Sequence, residues 1–177
     1  MRATLFSTAV FLAVLSSCTN APKEQTEMDD PGKIAVASDQ SANLKKKGFK
    51  INMERDAVEN SNYRKVLYTG EHMQLVLMSI KPGDEIGNEI HLKSDQFFRF
   101  ESGKGKCTVN ETVYEVSAGD VVLVPAGAKH NVINTDLTTD LKLYTIYAAP
   151  NHKDGIIRST KKEADENEAK FDGEKTE

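Results

Sequence analysis

The chain has 177 residues, with 27 acidic and 23 basic side chains and a formal net charge of −4 at pH 7. A mildly acidic chain without a basic stripe gives no reason to expect nucleic-acid binding. Two cysteines allow at most one disulfide, so a disulfide framework is not expected. The polar chain ends leave roughly 100 residues for one compact domain.

The N-terminus has the pattern of a sorting signal. A basic residue precedes an apolar run from Leu5 to Leu15, which is too short to cross a bilayer as a stable helix. The run ends in Leu-Ser-Ser-Cys18 and resembles the lipobox of bacterial lipoproteins, with an ordinary cleaved signal peptide as the alternative. The resemblance implies that residues 1–17 are removed and that a lipid on Cys18 anchors the protein to the bacterial cell envelope. The Thr19 that follows favours the outer over the inner membrane.

Both ends of the remaining chain are polar. Residues 18–50 contain few large apolar side chains, which predicts a flexible linker. The domain is then expected to span residues 51–155. Residues 156–177 are predicted to be a disordered or marginally helical acidic tail, because the last 17 positions hold four Lys and seven Asp or Glu.

The domain itself has the pattern of short β-strands. Between Met53 and Asn60 the charged pattern permits a short helix, which Asn52 could cap. Turn residues such as Pro82-Gly83 separate the segments that follow. The predicted strands are Tyr63–Thr69, His72–Ile80, Ile86–Leu92, Gln96–Glu101, Lys106–Val109, Thr112–Val116, Val121–Val124, His130–Asn134 and Leu141–Ala149. Short strands with no helix between them favour a sandwich or a barrel.

Two spaced motifs lie within this strand region. They are Gly83-x5-Glu89-x-His91-x4-Gln96-x6-Gly103 and Gly119-x5-Pro125-x-Gly127-x2-His130-x3-Asn134. Successive side chains alternate across a strand, so Glu89 and His91 are expected to point to the same side. The motifs together offer two imidazoles, one carboxylate and one carboxamide, which predicts a pocket for one metal ion.

The spacing resembles the two motifs of the cupin superfamily, G-x5-H-x-H-x3,4-E-x6-G and G-x5-P-x-G-x2-H-x3-N, from about Tyr63 to Pro150. The second motif matches at every position. In the first, Glu89 stands where a His is expected, and Gln96 stands where a Glu is expected. The resemblance implies an all-β double-stranded β-helix, an RmlC-like jelly-roll barrel with a metal site inside. The wider sequence is similar to single-domain bacterial cupins loosely called mannose-6-phosphate isomerase-like.

The predicted metal ligands are therefore Glu89, His91, Gln96 and His130. With Glu89 ionised and Gln96 neutral, the formal ligand charge is −1, as in the three-His, one-Glu set of the family. This compensation favours a metal site over a cupin that has lost its metal and binds a small molecule alone. Imidazole and oxygen donors without a thiolate suit Mn, Fe, Ni, Co or Zn and disfavour a closed structural zinc site.

The same alternation assigns the residues around the pocket. Phe98 and Phe100 share a face with Gln96 and are expected to wall the pocket floor, with ordinary core packing as the alternative. The outward Ile90 and Phe97 suggest a second buried face, under the N-terminal segment or in a homodimer.

Five polar or aromatic residues are expected to lie outside the ligand set. Asn134 should hold loop backbone, His72 should lie at a surface turn, and His152 should belong to the exit loop. Tyr144 and Tyr147 lie on opposite faces of the last strand, so at most one of them can reach the pocket.

Two classes of function fit this pattern. The first is a metal-dependent enzyme acting on a small polar substrate such as a sugar or sugar acid, with isomerase, lyase and dioxygenase chemistry all open. The second is a non-catalytic module that captures a small molecule or a metal at the envelope. Both readings predict a small-molecule partner and membrane attachment through Cys18.

Overall fold

The computed structural model describes residues 45–177. The predicted signal segment, Cys18 and the linker as far as residue 44 lie outside the described residues. The elements in chain order are α1 (Met53–Glu59), β1 (Arg64–Thr69), β2 (Gln74–Ile80), β3 (Glu89–Ile90), β4 (Asp95–Ser102), β5 (Lys104–Val109), β6 (Thr112–Ser117), β7 (Val121–Val124), β8 (Lys129–Asn134), β9 (Leu141–Ala148), β10 (Ile157–Arg158) and α2 (Lys161–Glu166). Within residues 45–177, no helix has the length and apolar character needed to cross a membrane.

The strands form two antiparallel sheets, which confirms the all-β jelly-roll prediction. The six-stranded sheet has the order β10-β1-β2-β9-β4-β7, and the four-stranded sheet has the order β3-β8-β5-β6. Backbone pairing among the described strands does not join the two sheets into a closed barrel. The helix α1 was also predicted correctly, since the side chain of Asn52 caps it by accepting a hydrogen bond from the Arg55 N–H at 3.2 Å.

The core lies between the sheets and follows the predicted alternation. On β4, Gln96, Phe98 and Phe100 are buried, while the intervening Phe97 and Arg99 are only partly covered. Burial of a Phe side chain contributes roughly 2–3 kcal/mol to folding, so this inward face anchors the strand in one register. Residues of β4 therefore present a fixed set of side chains to the interior.

The third strand is shorter than predicted. The sequence suggested Ile86–Leu92, but regular pairing is limited to Glu89–Ile90. Gly87 has a φ of 96°, which is incompatible with continuous strand geometry, and its N–H donates to the side chain of Asn131 at 2.9 Å. Ile86 still donates its N–H to the Val132 carbonyl at 2.9 Å. The segment thus follows β8 without forming a long strand.

The structure also differs from the expectation of a disordered tail that begins at residue 156. Strand β10 pairs with β1, with Arg64 opposite Arg158, and the α2 residue Ala164 is 3% exposed and packs in the hydrophobic core. Phe171 donates its N–H to the Asn151 carbonyl at 3.1 Å. The charge density of the segment did not indicate these contacts, because the segment is held by backbone hydrogen bonds and one small apolar side chain, Ala164.

The outward residues of the first motif are unevenly covered. Ile90 is 54% exposed, whereas Phe97 is half-buried and packs near Tyr144, with ring centroids 6.0 Å apart. Arg99 lies on the same outer face beside Glu101, at 3.6 Å. Within residues 45–177 the expected second buried face therefore forms only around Phe97.

Candidate metal centre

Strand pairing brings three of the predicted ligands together. Glu89 on β3 is the cross-strand partner of His130 on β8, and His91 follows directly after β3. One potential ligand atom from each of these residues lies within 4.8 Å of the others. The His91 and His130 rings are 5.2 Å apart. Two imidazoles and one carboxylate are thus close enough to bind a single ion.

His130 is held in the orientation that a metal ligand requires. Its Nδ1 lies 3.2 Å from the Ala128 carbonyl oxygen, to which an Nδ1–H would donate. This tautomer leaves a lone pair on Nε2, which is buried without a hydrogen-bond partner among the described residues. Burial lowers the pKa of His130 and outweighs the opposing effect of the Ala128 hydrogen bond. The side chain is therefore neutral at pH 7.

Glu89 is the anionic member of the cluster. Burial acts to raise its pKa, but the hydrogen bond with His91 and the electrostatic effects of His91, Arg64 and His130 outweigh burial, so the pKa is lowered. Its Oε2 lies 3.2 Å from His91 Nε2, and its Oε1 lies 3.9 Å from Arg64 Nη2. The carboxylate is consequently charged at neutral pH and placed to hold a cation.

Gln96 lies on β4, in the opposite, six-stranded sheet, and is 1% exposed. Its Nε2 donates to Thr145 Oγ1 at 3.0 Å, while its Oε1 is buried without a partner in the described part of the chain. This orientation leaves the carbonyl oxygen, the atom that binds hard cations, available. A role for Gln96 as the fourth ligand stays a prediction.

Comparisons with known proteins agree with this architecture. A family model described as "Cupin domain" matches residues 76–147. The chain is 38% identical over 112 residues to the uncharacterized protein L612 of Acanthamoeba polyphaga mimivirus, covering 62% of this chain and 70% of that protein. The chain belongs to the cupin superfamily.

Two further relatives extend this finding. The uncharacterized protein YrkC of Bacillus subtilis is 44% identical over 127 residues, which cover 67% of this cupin and 66% of YrkC. A crystal structure of BH2720 from Bacillus halodurans has 40% sequence identity and a TM-score of 0.66, and the match covers 68% of this cupin and 96% of the BH2720 chain. The similarity to the three relatives supports the fold and leaves the activity open.

Cupins commonly bind a metal, and the residues of this cupin fit one. The unpartnered His130 Nε2, the ionised Glu89 and the adjacent His91 form a donor set of two nitrogens and a carboxylate. Among the described residues the cluster contains no cysteine, and the free Cys107 is buried in the core. This chemistry suits a first-row divalent ion rather than a closed structural zinc site.

An aromatic wall closes the cluster on the side of β9. Tyr147 is 1% exposed, and its ring meets the rings of His91 and His152 edge-on, at 5.4 and 5.1 Å. Its hydroxyl lies 3.2 Å from His152 Nε2. Burial raises the pKa of Tyr147 and lowers the pKa of His152 to about 2. Both side chains are therefore uncharged at neutral pH.

The remaining predicted residues take different positions. Phe98 lies beside His130, with ring centroids 5.9 Å apart, whereas Phe100 stacks on Phe98 within the core. Asn134 donates from Nδ2 to the carbonyls of Ile80 and Thr139, both at 2.9 Å, so it holds loop backbone as predicted. His72 is exposed at the turn before β2, also as predicted.

Sequence reasoning missed two buried residues near the cluster. Arg64 is 5% exposed and faces Glu89 from β1. Side chains alternate along β1, so Arg64 lies on the same inward face as Val66, and this alternation could have predicted its burial. His152 was assigned to an exit loop but is 1% exposed, because backbone pairing with Lys170 covers it. No local pattern around His152 indicates that contact.

Two surface openings are each lined by one residue of the cluster. The first, the Glu89 cavity, has a volume of about 210 Å³ and is lined by Arg64, Glu89, Ala164, Asp165 and Glu168. The second, the His91 cleft, has a volume of about 530 Å³ and is lined by Ile90, His91, Leu92, Lys93, Ser94, Pro150, Asn151, Lys170 and Phe171. The larger opening falls within the range of small-molecule sites.

Proposed function

We propose that this cupin binds one divalent first-row metal ion through Glu89, His91 and His130, with Gln96 as a fourth donor, and acts on a small polar, sugar-like substrate. The observation that carries the proposal is the convergence of three ligand atoms within 4.8 Å, one of them the unpartnered Nε2 of His130. Mn, Fe, Ni, Co and Zn are all compatible with this donor set.

The protein supplies orientation and charge to this site. Glu89 contributes the single negative ligand charge. Arg64 beside it already carries a positive charge, so a bound divalent ion would leave the pocket with excess positive charge that an anion would compensate. The bound ion would supply Lewis-acid polarisation of a substrate oxygen. Isomerase, lyase and dioxygenase chemistry remain the candidate reactions.

Tyr147 is proposed to hold the His91 ring in place, because the two rings meet edge-on at 5.4 Å. At neutral pH it keeps its phenolic proton because burial raises its pKa. It is therefore a poor base, and its hydroxyl already lies 3.2 Å from His152 Nε2. His152 behind it also stays neutral, since burial lowers its pKa to about 2.

The second candidate is a non-catalytic cupin that captures a small molecule or metal. The same two residues support it, because neither Tyr147 nor His152 is poised to exchange a proton near pH 7. Under this alternative, metal and ligand bind at the same cluster without turnover.

We further propose that Cys18 carries a lipid that attaches the protein to the cell envelope, more specifically to the outer membrane. The lipobox-like sequence supports this assignment. Cys18→Ser should abolish labelling by a radioactive fatty acid and release the protein from the membrane fraction.

Exposed Ile90 supports a homodimer, and light scattering of the form that begins at residue 19 would measure its mass.

One experiment tests the central proposal. The form that begins at residue 19 is purified after expression with Mn, Fe, Ni, Co and Zn supplied in turn, and its metal content is measured. It is then assayed for turnover of sugars, sugar phosphates and uronates with and without the metal. Absence of metal under every condition refutes the metal site, whereas stoichiometric metal without turnover selects the binding module.

A further inference from the structure

The C-terminal segment (residues 156–177) forms part of both openings. Ala164, Asp165 and Glu168 line the Glu89 cavity, and Lys170 and Phe171 line the His91 cleft. A ligand that approaches His91 therefore meets side chains from the last eight positions of the chain as well as from the loop after β3. Residues in such a position control which molecules enter.

Backbone contacts hold this wall in place. Lys153 donates its N–H to the Ala169 carbonyl at 2.9 Å, and Phe171 donates to Asn151 at 3.1 Å, so Lys170 lies between two anchored positions. Further along, Thr176 donates its N–H to the Thr69 carbonyl at 2.9 Å. These bonds fix Lys170 and Phe171 at the cleft instead of leaving them on a free chain end.

The two openings differ in charge. Among the described residues that line the His91 cleft none is Asp or Glu, while Lys93 and Lys170 both border it. Lys170 pairs with Glu168 at 2.5 Å, so that its charge is partly compensated. The Glu89 cavity contains three carboxylates beside Arg64. An anion is consequently attracted to the cleft and repelled from the cavity.

We propose that the His91 cleft admits a small organic anion, whose carboxylate or phosphate is recognised by Lys93 and Lys170 while its polar body reaches the Glu89–His91–His130 cluster. The inference rests on the proposed ligand-binding role of that cluster and names its substrate class. The volume of about 530 Å³ accommodates a molecule of sugar-acid size. Lys93 and Lys170 act as specificity-determining residues and take no part in the reaction.

The test compares matched ligands. Binding of glucuronate, glucose 6-phosphate and glucose to the full-length protein is measured by titration calorimetry, before and after metal loading. We expect the two anions to bind at least about ten-fold more tightly than glucose at low salt, with the difference shrinking as ionic strength rises. A preference for one anion distinguishes carboxylate from phosphate recognition.

Single substitutions assign the preference to the cleft. Lys93→Ala and Lys170→Ala are each expected to weaken glucuronate binding by about five-fold and to leave glucose binding unchanged, because each removes one charged contact. Glu168→Gln should strengthen glucuronate binding, because the substitution removes the carboxylate that pairs with Lys170. Lys162→Ala is the matched control, because Lys162 lies on the same segment, has an 82% exposed side chain and pairs with Glu166.

The outcomes separate this inference from the metal proposal. Equal affinity for glucuronate and glucose overturns the inference even when metal is bound, and so does an equal effect of Lys162→Ala. A preference for anions that depends on Lys93 and Lys170 in a protein that binds no metal supports the inference and refutes the metal site. Metal content and circular dichroism of each variant exclude loss of folding as the cause.

Discussion

Removal of His130 should take away most of the stabilisation that a metal gives to this cupin. The imidazole has its Nδ1 beside the Ala128 carbonyl and its Nε2 buried without a partner, so His130→Ala deletes the ligand that the fold positions most firmly. The measurement is the shift of the thermal midpoint when metal is added, compared between wild type and variant. His72→Ala, at an exposed position, is the control.

The expected size of the shift follows from binding linkage. At a free metal concentration of about 100 times the dissociation constant, binding to the folded state alone adds about 2.7 kcal/mol. For a domain of about 130 residues this corresponds to a rise of roughly 10 °C in the midpoint. If His130→Ala lowers the affinity about 100-fold, the same metal concentration adds only about 0.4 kcal/mol, or roughly 1–2 °C.

The comparison does not depend on how stable the variant is. His130→Ala also removes packing against Phe98, so its midpoint without metal is expected to fall. Only the metal-induced difference tests the site. Metal-induced shifts of equal size in wild type and His130→Ala, or stoichiometric metal in the His91→Ala/His130→Ala double variant, would refute the assignment.

Three further predictions concern stability and accessibility. Gly105→Ala should lower the free energy of unfolding, measured by urea denaturation, by about 1–3 kcal/mol, because the new Cβ would lie 2.5 Å from the Ile133 carbonyl oxygen. Gly70→Ala is the control and should lower the free energy of unfolding less, because the nearest atom to its new Cβ is a side-chain atom at 3.3 Å. Burial lowers the pKa of His152 from 6.5 to about 2, so at this site only the unfolded chain gains a proton just below pH 6.5, and the folded state loses stability as the pH falls. Between pH 7.5 and 5.5 the free energy of unfolding of the wild type should fall by about 1.4 kcal/mol more than that of His152→Gln. Parallel curves of stability against pH for the two proteins would contradict this. In the form that begins at residue 19, which lacks Cys18, the Cys107 thiol should react with a thiol reagent only in denaturant, because the thiol is buried and burial raises its pKa to about 12. Rapid labelling of this form in its native state would show that Cys107 is accessible.

Motif spacing predicted the part of the site that depends on strand pairing. Glu89 and His130 meet because β3 and β8 are adjacent, and His91 joins them two residues on from Glu89. The inward face of β4 followed from alternation alone. These features are local or are encoded in two motifs, so a single sequence is sufficient to identify them.

Features set by distant contacts were not predictable in the same way. The length of β3 depends on the φ of Gly87, and glycine tolerates both the extended and the left-handed backbone. The burial of His152 depends on pairing with Lys170, across a segment whose charge density suggested disorder. Tertiary contacts outweighed local composition at both places.

The shortness of β3 has a kinetic consequence for the cluster. Glu89 lies in a two-residue strand and His91 just beyond it, whereas His130 lies within the six-residue β8, which pairs on both sides. Opening the β3 edge breaks few backbone hydrogen bonds, so it requires far less free energy than unfolding the domain. A bound ion could therefore exchange through fluctuations of this edge while the rest of the jelly roll stays intact. Amide hydrogen exchange should then be faster at Ile90 than at Val132.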